Sequence, residues 1–474
     1  MQPSTRPRPI GWRVRPRDQR IILLTGDAFV STLALFGGLY FWGQKDAWLK
    51  FSLDFIQQRV EFWYYLLPII WMVFLVELYD PHRARNLRQT VAGIAMAALA
   101  GLILYALVYL ISQKGSLPRL GIGYFLVFAS VLTLLWRLLY IRIFTNQAFL
   151  YRVLIIGAGS AGETLVKVYN KMNPKPFFLV GFMDDDPTKI GKELQGYPIL
   201  AGNDQLLETI QAQAISEIVI AITGEMRGTT FQILLDAQQN GMEIIPMPTL
   251  YEELLSRVPI NHLESEWLIR SFVNEARVGG FYELEKRLVD ILVSLVGLGT
   301  CLLVAPLTAI LILLDSGLPI LYKQIRSGKS GKPYYIYKFR TMFQNAEKDG
   351  QVQVTHEHDD RITRVGNILR RSHIDELPQF WNVLRGDMSI VGPRAERPEL
   401  IVEYQKHIPL YRARLLVKPG ITGWAQINYG YSATIDQTVV KLEYDLYYIK
   451  HRNLLMDMTI ILRTLTQVFG FRGR

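Results

Sequence analysis

The chain has 474 residues, half of them hydrophobic, with a mean hydropathy of +0.15 and a formal net charge of +10. Hydrophobicity joined to basicity is an unusual pairing for a soluble protein; it fits roughly three domains of a membrane protein whose basic face meets the cytoplasm. The single cysteine, Cys301, excludes a disulfide framework and a cysteine-rich metal site, and with no recognisable DNA- or RNA-binding motif, nucleic acid is not expected as a partner.

In chain order, a basic arm with six arginines comes first and runs into an apolar stretch. No convincing small-residue cleavage site follows, so an uncleaved first helix is expected rather than a signal peptide. Four apolar runs, 21–42, 62–78, 91–111 and 122–143, are each near the ~20 residues a bilayer requires, which predicts a four-helix transmembrane region over 1–150. Arginines crowd the arm, the second loop ("DPHRARNLRQ") and the end of the fourth run (Arg137, Arg142, Arg152). The positive-inside rule therefore places both ends of the bundle in the cytoplasm.

From Tyr151 the pattern becomes that of a Rossmann-like α/β module, expected over 151–275. "YRVLIIGAGSAGETLVKVYNKM" reads as strand, glycine turn and helix, and further strands are predicted at "FFLVGFMDDD", "EIVIAIT" and "MEIIPMP". Gly157, Gly159 and Gly162 form G-x-G-x-x-G in the strand-to-helix context of a phosphate-binding turn, with Asp184–Asp186 ending the next strand where a ribose-binding acid could sit. Nucleotide binding and tight packing alone both explain the glycines. No catalytic dyad accompanies them, so a regulatory or dimer-supporting module is expected.

A fifth apolar run covers 289–315, with no charge between Asp290 and Asp315. Pro306 interrupts it, at a cost of about 3 kcal/mol in an unbroken helix, and the chain beyond is strongly basic. A re-entrant membrane hairpin over 288–315, broken near Ala305–Pro306 and returning to its own side, satisfies both features; a buried core helix is the alternative.

The remainder, within a domain expected over 276–474, is dense in arginine and lysine, punctuated by glycine and proline, and holds a few isolated carboxylates. Such a composition suits phosphates and a divalent cation, Mg²⁺ or Mn²⁺. In "RRSHIDELPQFWNVLRGDMS" the apolar Leu377, Phe380, Trp381 and Leu384 recur at helical spacing, and Pro378 belongs in a first turn, which places Asp375 at or near the N-cap. Helix capping would explain such an aspartate in an arbitrary protein. His356 and His358 with Asp359–Asp360 imitate a metal cluster, but without further placed ligands they read as a solvated loop.

Four motifs in order, "YKFRTM", "DELPQFWNVLRGDMSIVGPR", "KPGITGWAQIN" and "YDLYYIK", make the chain from about Phe281 onward resemble the catalytic domain of the bacterial monotopic phosphoglycosyl transferases, or bacterial sugar transferases. The whole layout is similar to the long members that initiate exopolysaccharide, capsule or O-antigen synthesis. The resemblance implies a multi-domain membrane protein of the bacterial inner membrane, multi-pass, with a C-terminal α/β catalytic domain on the cytoplasmic side. Its implied reaction moves sugar-1-phosphate from a UDP-sugar to undecaprenyl phosphate and releases UMP; a homodimer is expected. By the same resemblance Asp375 is the nucleophile and Glu376 helps hold Mg²⁺, while Lys338, Arg340, Arg370, Pro393, Arg394, Lys418 and Asp445 match substrate- or phosphate-binding positions. Two departures concern the sugar: Ala395 follows Gly392-Pro393-Arg394 where many relatives have proline, and Asn428-Tyr429-Gly430-Tyr431 lacks the arginine of "NGR". Two other readings stand beside this one. A nucleotide-sugar oxidoreductase or epimerase would need a Tyr-x-x-x-Lys pair, which is not found after the glycine turn; a non-catalytic membrane regulator would not need the intact Asp375–Glu376 pair.

Overall fold

Uninterrupted apolar sequence becomes long helix in the N-terminal third. A computed structural model of the chain describes residues 16–79, 84–112, 118–144, 150–224, 226–263, 280–344, 359–430 and 434–469, divided by their contacts into two units, Met1–Met247 and Pro248–Arg474. In the first unit α1 (Pro16–Lys45), α2 (Leu87–Ile111) and α3 (Arg119–Phe144) contain apolar segments long enough to cross a bilayer. Phe29, Leu33 and Phe36 on α1 and Val127, Val131 and Leu135 on α3 point outward at helical spacing, while Ala34, Leu39, Phe125 and Ala129 pack inside with Tyr64 and Trp71. This is the inside-out pattern of a bundle solvated by lipid.

The expected second span is built differently from a single α-helix. Residues Phe62–Leu66 and Val76–Tyr79 are 3-10 turns flanking a short α-helix, Leu67–Phe74, that Pro68 starts. A 3-10 turn rises about 2.0 Å per residue against about 1.5 Å in an α-helix, so this composite reaches further than its length suggests. Its irregular end is stabilised by a charge. Arg137 donates to the Leu78 carbonyl at 2.8 Å and pairs with Asp27 at 2.5 Å, both side chains fully buried. An ion pair at membrane depth costs least when each partner also satisfies a backbone or side-chain group.

The rest of this unit is a six-stranded sheet: β1 (Arg152–Ile156), β2 (Phe178–Met183), β3 (Glu193–Leu194), β4 (Tyr197–Ala201), β5 (Glu217–Ile220) and β6 (Glu243–Pro246), in the order β3-β4-β2-β1-β5-β6. All pairings are parallel except β3 with β4. Val153–Ile156 are completely buried, as a central strand covered on both faces requires. Helices α4 (Ser160–Lys171), α5 (Leu206–Gln213) and α6 (Gly228–Gln239) provide the crossovers. The Rossmann-like expectation and its predicted strands are all present.

By its contacts the chain divides after Met247, ahead of the expected boundary at 275–276. Helix α7 (Met247–Leu255) and the turn Ile260–His262 lead into the core of the second unit, where Val258 and Ile260 pack with Trp424, Leu446 and Ile449. Glu252 accepts from Lys450 and bonds His451 at 2.8 Å, and the Ser256 carbonyl accepts from the Trp424 indole at 2.9 Å. Tyr251, Val258 and Ile260 would be exposed without this body, which is why the segment belongs to it.

Helix α8 (Gly280–Ser316) carries the fifth apolar run. The expected break near Ala305–Pro306 is not an interruption: Pro306 lies inside one continuous helix. Its inner stripe, Asp290, Ser294, Gly297, Thr308 and Ile312, is buried, with Cys301 and Ala305 packed against Ile312, Phe339 and Leu369. The spacing of three and four residues keeps this stripe on one face, and it passes through Pro306. Leu292, Val296, Leu303, Leu307 and Leu314 are exposed. Both ends are tied to the same unit. Near the start, Lys286 donates to Asp457 at 2.8 Å and Asp290 accepts from Ser389 and the Ile390 N–H; at the other end Asp315 accepts the Val365 N–H at 3.0 Å. Beyond α8 lie the antiparallel hairpin β7 (Leu321–Ser327) and β8 (Pro333–Phe339), helices α9 (Arg364–Arg371) and α10 (Gln379–Arg385), and the parallel pair β9 (Ser389–Val391) and β10 (Gly420–Thr422). Helices α11 (Ile435–His451) and α12 (Leu454–Phe469) complete the unit.

Candidate active site

The chain leaves α9 through Ser372, reverses at His373 in the left-handed region (φ 56°), and forms one 3-10 turn, Ile374–Glu376. Pro378 then caps α10. Asp375 therefore sits a turn ahead of a seven-residue helix rather than on its cap, and the helix dipole, which acts over the terminal turn, contributes less than expected. Tertiary packing fixes the turn instead. Phe380 lies flat against Gly297 of α8, where a Cβ would come within 2.4 Å of its ring. Only glycine permits that approach.

Asp375 is 6% exposed, and no hydrogen bond from a described residue reaches its carboxylate. Burial, and then the neighbouring Glu376 charge, push its pKa up to about 6; Lys338, Arg370 and Arg394 pull in the other direction. Glu376 is treated oppositely. Its Oε1 accepts from Lys338 Nζ at 2.6 Å and from Arg394 at 3.5 Å. Burial pushes Glu376 up, but Lys338 and Arg394 outweigh it and hold the carboxyl well below the usual range. Of the two adjacent acids, the proton is thus taken by Asp375, and at neutral pH both are ionised in a pocket lined by three cations. Arg370 is oriented by Thr341, whose Oγ1 accepts from Nε at 2.9 Å.

A divalent cation fits this donor set in a limited way. Among the described residues no group of three or more His, Cys, Asp or Glu could hold a metal. Glu376 Oε2 lies 4.0 Å from His373 Nδ1. A magnesium ion typically takes one or two carboxylates and completes its shell from water and substrate phosphates, so Glu376 Oε2 with Asp375 is the available protein contribution.

Arg394 is itself held from behind. Arg414 Nη2 donates to the Arg394 carbonyl at 3.1 Å and to Asp445 Oδ2 at 2.9 Å, while Nη1 donates to the Tyr411 hydroxyl at 2.7 Å. Asp445 therefore orients Arg414 and lies a layer behind the reacting groups. The Pro393 carbonyl accepts the Gly420 N–H at 2.9 Å, which fixes the same segment. Two other expected phosphate ligands lie elsewhere. Arg340 follows the end of β8 and turns back to cap α8, donating to Ser316 Oγ at 2.8 Å and to the Gly317 carbonyl. Lys418 has its ammonium against Gly386 at the far end of α10. The structure thus gathers Lys338, Arg370 and Arg394 about the acidic pair, uses Pro393 to fix the segment that carries Arg394, and sets Arg340, Lys418 and Asp445 apart. Sequence reasoning missed Arg414 and Thr341. Thr341 lay inside a quoted motif, whereas Arg414 gave no local signal. His356 and His358 lie outside the described residues, and Asp359 is paired with Arg361.

The glycine turn of the first unit is accounted for mostly by sterics. Gly157 has φ 104° and a Cβ there would lie 2.8 Å from the Ala221 carbonyl oxygen; one on Gly162 would lie 2.3 Å from that of Gly157. Gly159 has nothing within 4 Å. Asp184, where a ribose-binding acid was expected, accepts the Ala158 N–H at 2.8 Å and pairs with Lys189 at 3.0 Å.

Comparison with known proteins locates two families along the chain. Residues 281–471 match the bacterial sugar transferase model and residues 75–248 match a CoA-binding domain model. A UDP-glucose:undecaprenyl-phosphate glucose-1-phosphate transferase of Xanthomonas campestris pv. campestris is 30% identical over 84% of each chain. The Escherichia coli (strain K12) protein of the same name is 31% identical over 67% of each. A UDP-N-acetylgalactosamine-undecaprenyl-phosphate N-acetylgalactosaminephosphotransferase of Aeromonas hydrophila is 42% identical over 47% of this chain and 52% of its own.

Proposed function

Because this chain belongs to the bacterial sugar transferase family, we propose that it transfers a sugar-1-phosphate from a UDP-sugar to undecaprenyl phosphate, through a phosphosugar carried on Asp375. The observation that carries this reading is the split between the paired acids: Glu376 Oε1 is engaged by Lys338 and Arg394, whereas Asp375 is buried, without a hydrogen-bond partner among the described residues, and flanked by three cations. A carboxylate stripped of donors keeps its nucleophilicity, and the cations beside it are placed to receive the charge of a diphosphate.

In the first step an Asp375 oxygen attacks the β-phosphorus of the UDP-sugar, the bond from that phosphorus to the bridging oxygen breaks, and UMP departs with the electron pair. In the second, a phosphate oxygen of undecaprenyl phosphate attacks the same phosphorus, the acyl-phosphate bond breaks, and the Asp375 carboxylate is regenerated. Lys338 and Arg394 keep Glu376 anionic, and Arg370 and Arg394 meet the equatorial oxygens in both steps. A divalent ion, held by Glu376 with Asp375, would when bound neutralise the diphosphate of the donor and the charge that develops on the departing UMP.

Relatives named for glucose and for N-acetylgalactosamine frame the donor as a hexose or N-acetylhexosamine nucleotide. Both ends of α8 are tied to one body, which supports a helix that stays with the catalytic unit, although unbroken at Pro306. In this reading that unit lies on the cytoplasmic face of the inner membrane. Single cysteines in a Cys301→Ser background test the side: labelling of a residue in α11 by an impermeant reagent from the periplasm would overturn it. The chemistry is tested with UDP-sugar alone. UMP should be released in stoichiometric burst, and mass spectrometry should find one sugar-phosphate on the peptide carrying Asp375. UMP release only in the presence of acceptor, with no adduct, would instead indicate direct transfer.

A further inference from the structure

Lys418 is the cation that the transfer reaction leaves without a task. Its ammonium lies 3.6 Å from where a Cβ on Gly386 would be, and Arg287 Nη2 lies 3.8 Å from the same point. Both cations thus border the same bare glycine. Gly386 has φ 95° as the C-cap of α10, so the conformation as well as the space favours glycine there. Among the described residues nothing accepts a hydrogen bond from Lys418 Nζ. Arg287 uses Nη1 and Nη2 to hold the Val383 and Leu384 carbonyls at 2.8 and 2.7 Å, which fixes its position without neutralising it. Lys329 adds to the repulsion on Lys418.

Two acids face the cluster and attract Lys418, Asp290 more than Asp387, but neither accepts a hydrogen bond from it among the described residues. Asp290 accepts from Ser389 Oγ and the Ile390 N–H, and Asp387 sits 3.6 Å from Arg385. Arg287 repels the half-buried Lys418, and an anion bridging the two would relieve that repulsion. The location indicates which anion. Arg287 lies one turn before Asp290, where the charge-free run of α8 begins, and Leu284, Leu288 and Leu292 are already exposed on the outer face. A helix entering a bilayer carries its last cations at headgroup level.

We infer that Lys418 and Arg287 form a binding site for the phosphate of an anionic membrane phospholipid, separate from the Asp375 centre. A phosphodiester oxygen would accept from Lys418 Nζ and from the unused Arg287 protons, with the acyl chains lying along the leucine face of α8. The site seats the catalytic unit on the membrane surface. This inference rests on the membrane placement of α8 and not on the transfer chemistry.

The test uses the full chain in nanodiscs of phosphatidylcholine with a minor fraction of phosphatidylglycerol. After mild detergent extraction, lipid retained per protein is measured by mass spectrometry. The unaltered protein should retain phosphatidylglycerol in excess of its bilayer fraction, Lys418→Gln should lower that enrichment about tenfold, and Lys418→Arg should keep it. Photoactivatable phosphatidylglycerol supplies a readout independent of any variant's folding: in the unaltered protein it should label peptides containing residue 287 or 418. Equal retention by Lys418→Gln, or labelling confined to other peptides, would overturn the site. Displacement of the lipid by inorganic phosphate would make it a soluble-anion site instead. One-for-one displacement by undecaprenyl phosphate, with a raised acceptor KM in Lys418→Gln, would return Lys418 to the acceptor. UMP release by the unaltered protein in the same discs reports separately on the transferase reading.

Discussion

Two turns in this protein lead into a helix and meet acids that invite a ligand: the glycine turn after β1, which Asp184 faces from the end of β2, and the turn ahead of α10, which carries Asp375 and Glu376. They differ in how their polar groups are satisfied. In the first, Asp184 is consumed by the Ala158 N–H and by Lys189, and two of the three glycines are required by backbone approaches inside the module. In the second, Asp375 is buried without a partner among the described residues and beside a second negative charge, and its pKa rises to about 6. Satisfied acids hold a fold together, whereas an acid kept costly by its surroundings stores free energy that a reaction can use.

The sharpest way to break that contrast is Asp375→Asn. Turnover should fall by more than the ~10²–10³ typical of losing one stabilising donor, while stability moves the other way. A carboxyl whose folded pKa is raised is least costly when protonated, so its burden on the fold appears as pH rises from about 4 through 6. The asparagine variant should therefore melt at a higher temperature at pH 7–8; calorimetry showing no gain would mean that Asp375 is merely a turn residue. Lys338→Met comes next: it strips Glu376 of its closest cation and should cost about 10²–10³ in turnover. The pH profile sharpens the comparison further. Activity should drop as pH falls through about 6, and in Glu376→Gln, itself severely impaired and partly restored by added Mg²⁺, the residual activity should keep an acid limb at lower pH, because a repelling charge has gone. A limb unmoved between the two enzymes would reassign it to another group.

Smaller effects concern the first unit. A chain starting at Pro248 should retain transferase activity, which tests whether the glycine turn takes part in the chemistry. One starting at Asn274 should be less stable, since Tyr251, Val258 and Ile260 each contribute roughly 1.5–3 kcal/mol of burial; thermal melts of the pair separate the two effects. Smallest is Gly159→Ala, expected within ±0.5 kcal/mol, beside Gly157→Ala, expected to destabilise by about 1–3 kcal/mol through strain at positive φ.

Local pattern carried the sequence reading a long way. Strand and helix periodicities located the module, and short motifs located Lys338, Arg370, Asp375, Glu376 and Arg394, because each lies in a contiguous stretch with its own turn chemistry. Long-range partners were hidden. Nothing near Arg414 announces that it will reach both Asp445, 31 residues on, and the Arg394 carbonyl. Lys338 and Arg340 share the parity of one strand, yet β8 ends at Phe339, and Arg340 turns away to α8. In sequence the segment after Met247 reads as part of the preceding module because it follows β6 without a break in pattern; only the groove formed by Trp424, Leu446 and Ile449 shows where its apolar residues go. The composite second span escaped for another reason: hydropathy counts residues but not their rise.

Helix α8 is fastened at both ends, and along one stripe, to a single body. A rod clamped in this way can neither slide along its axis nor turn about it relative to that body. Changes in bilayer thickness or lateral pressure then act on the catalytic unit as a torque, tilting it as a whole, and the spacing between Phe380 on Gly297 and the neighbouring Asp375 turn is mechanically insulated from the membrane in which it works.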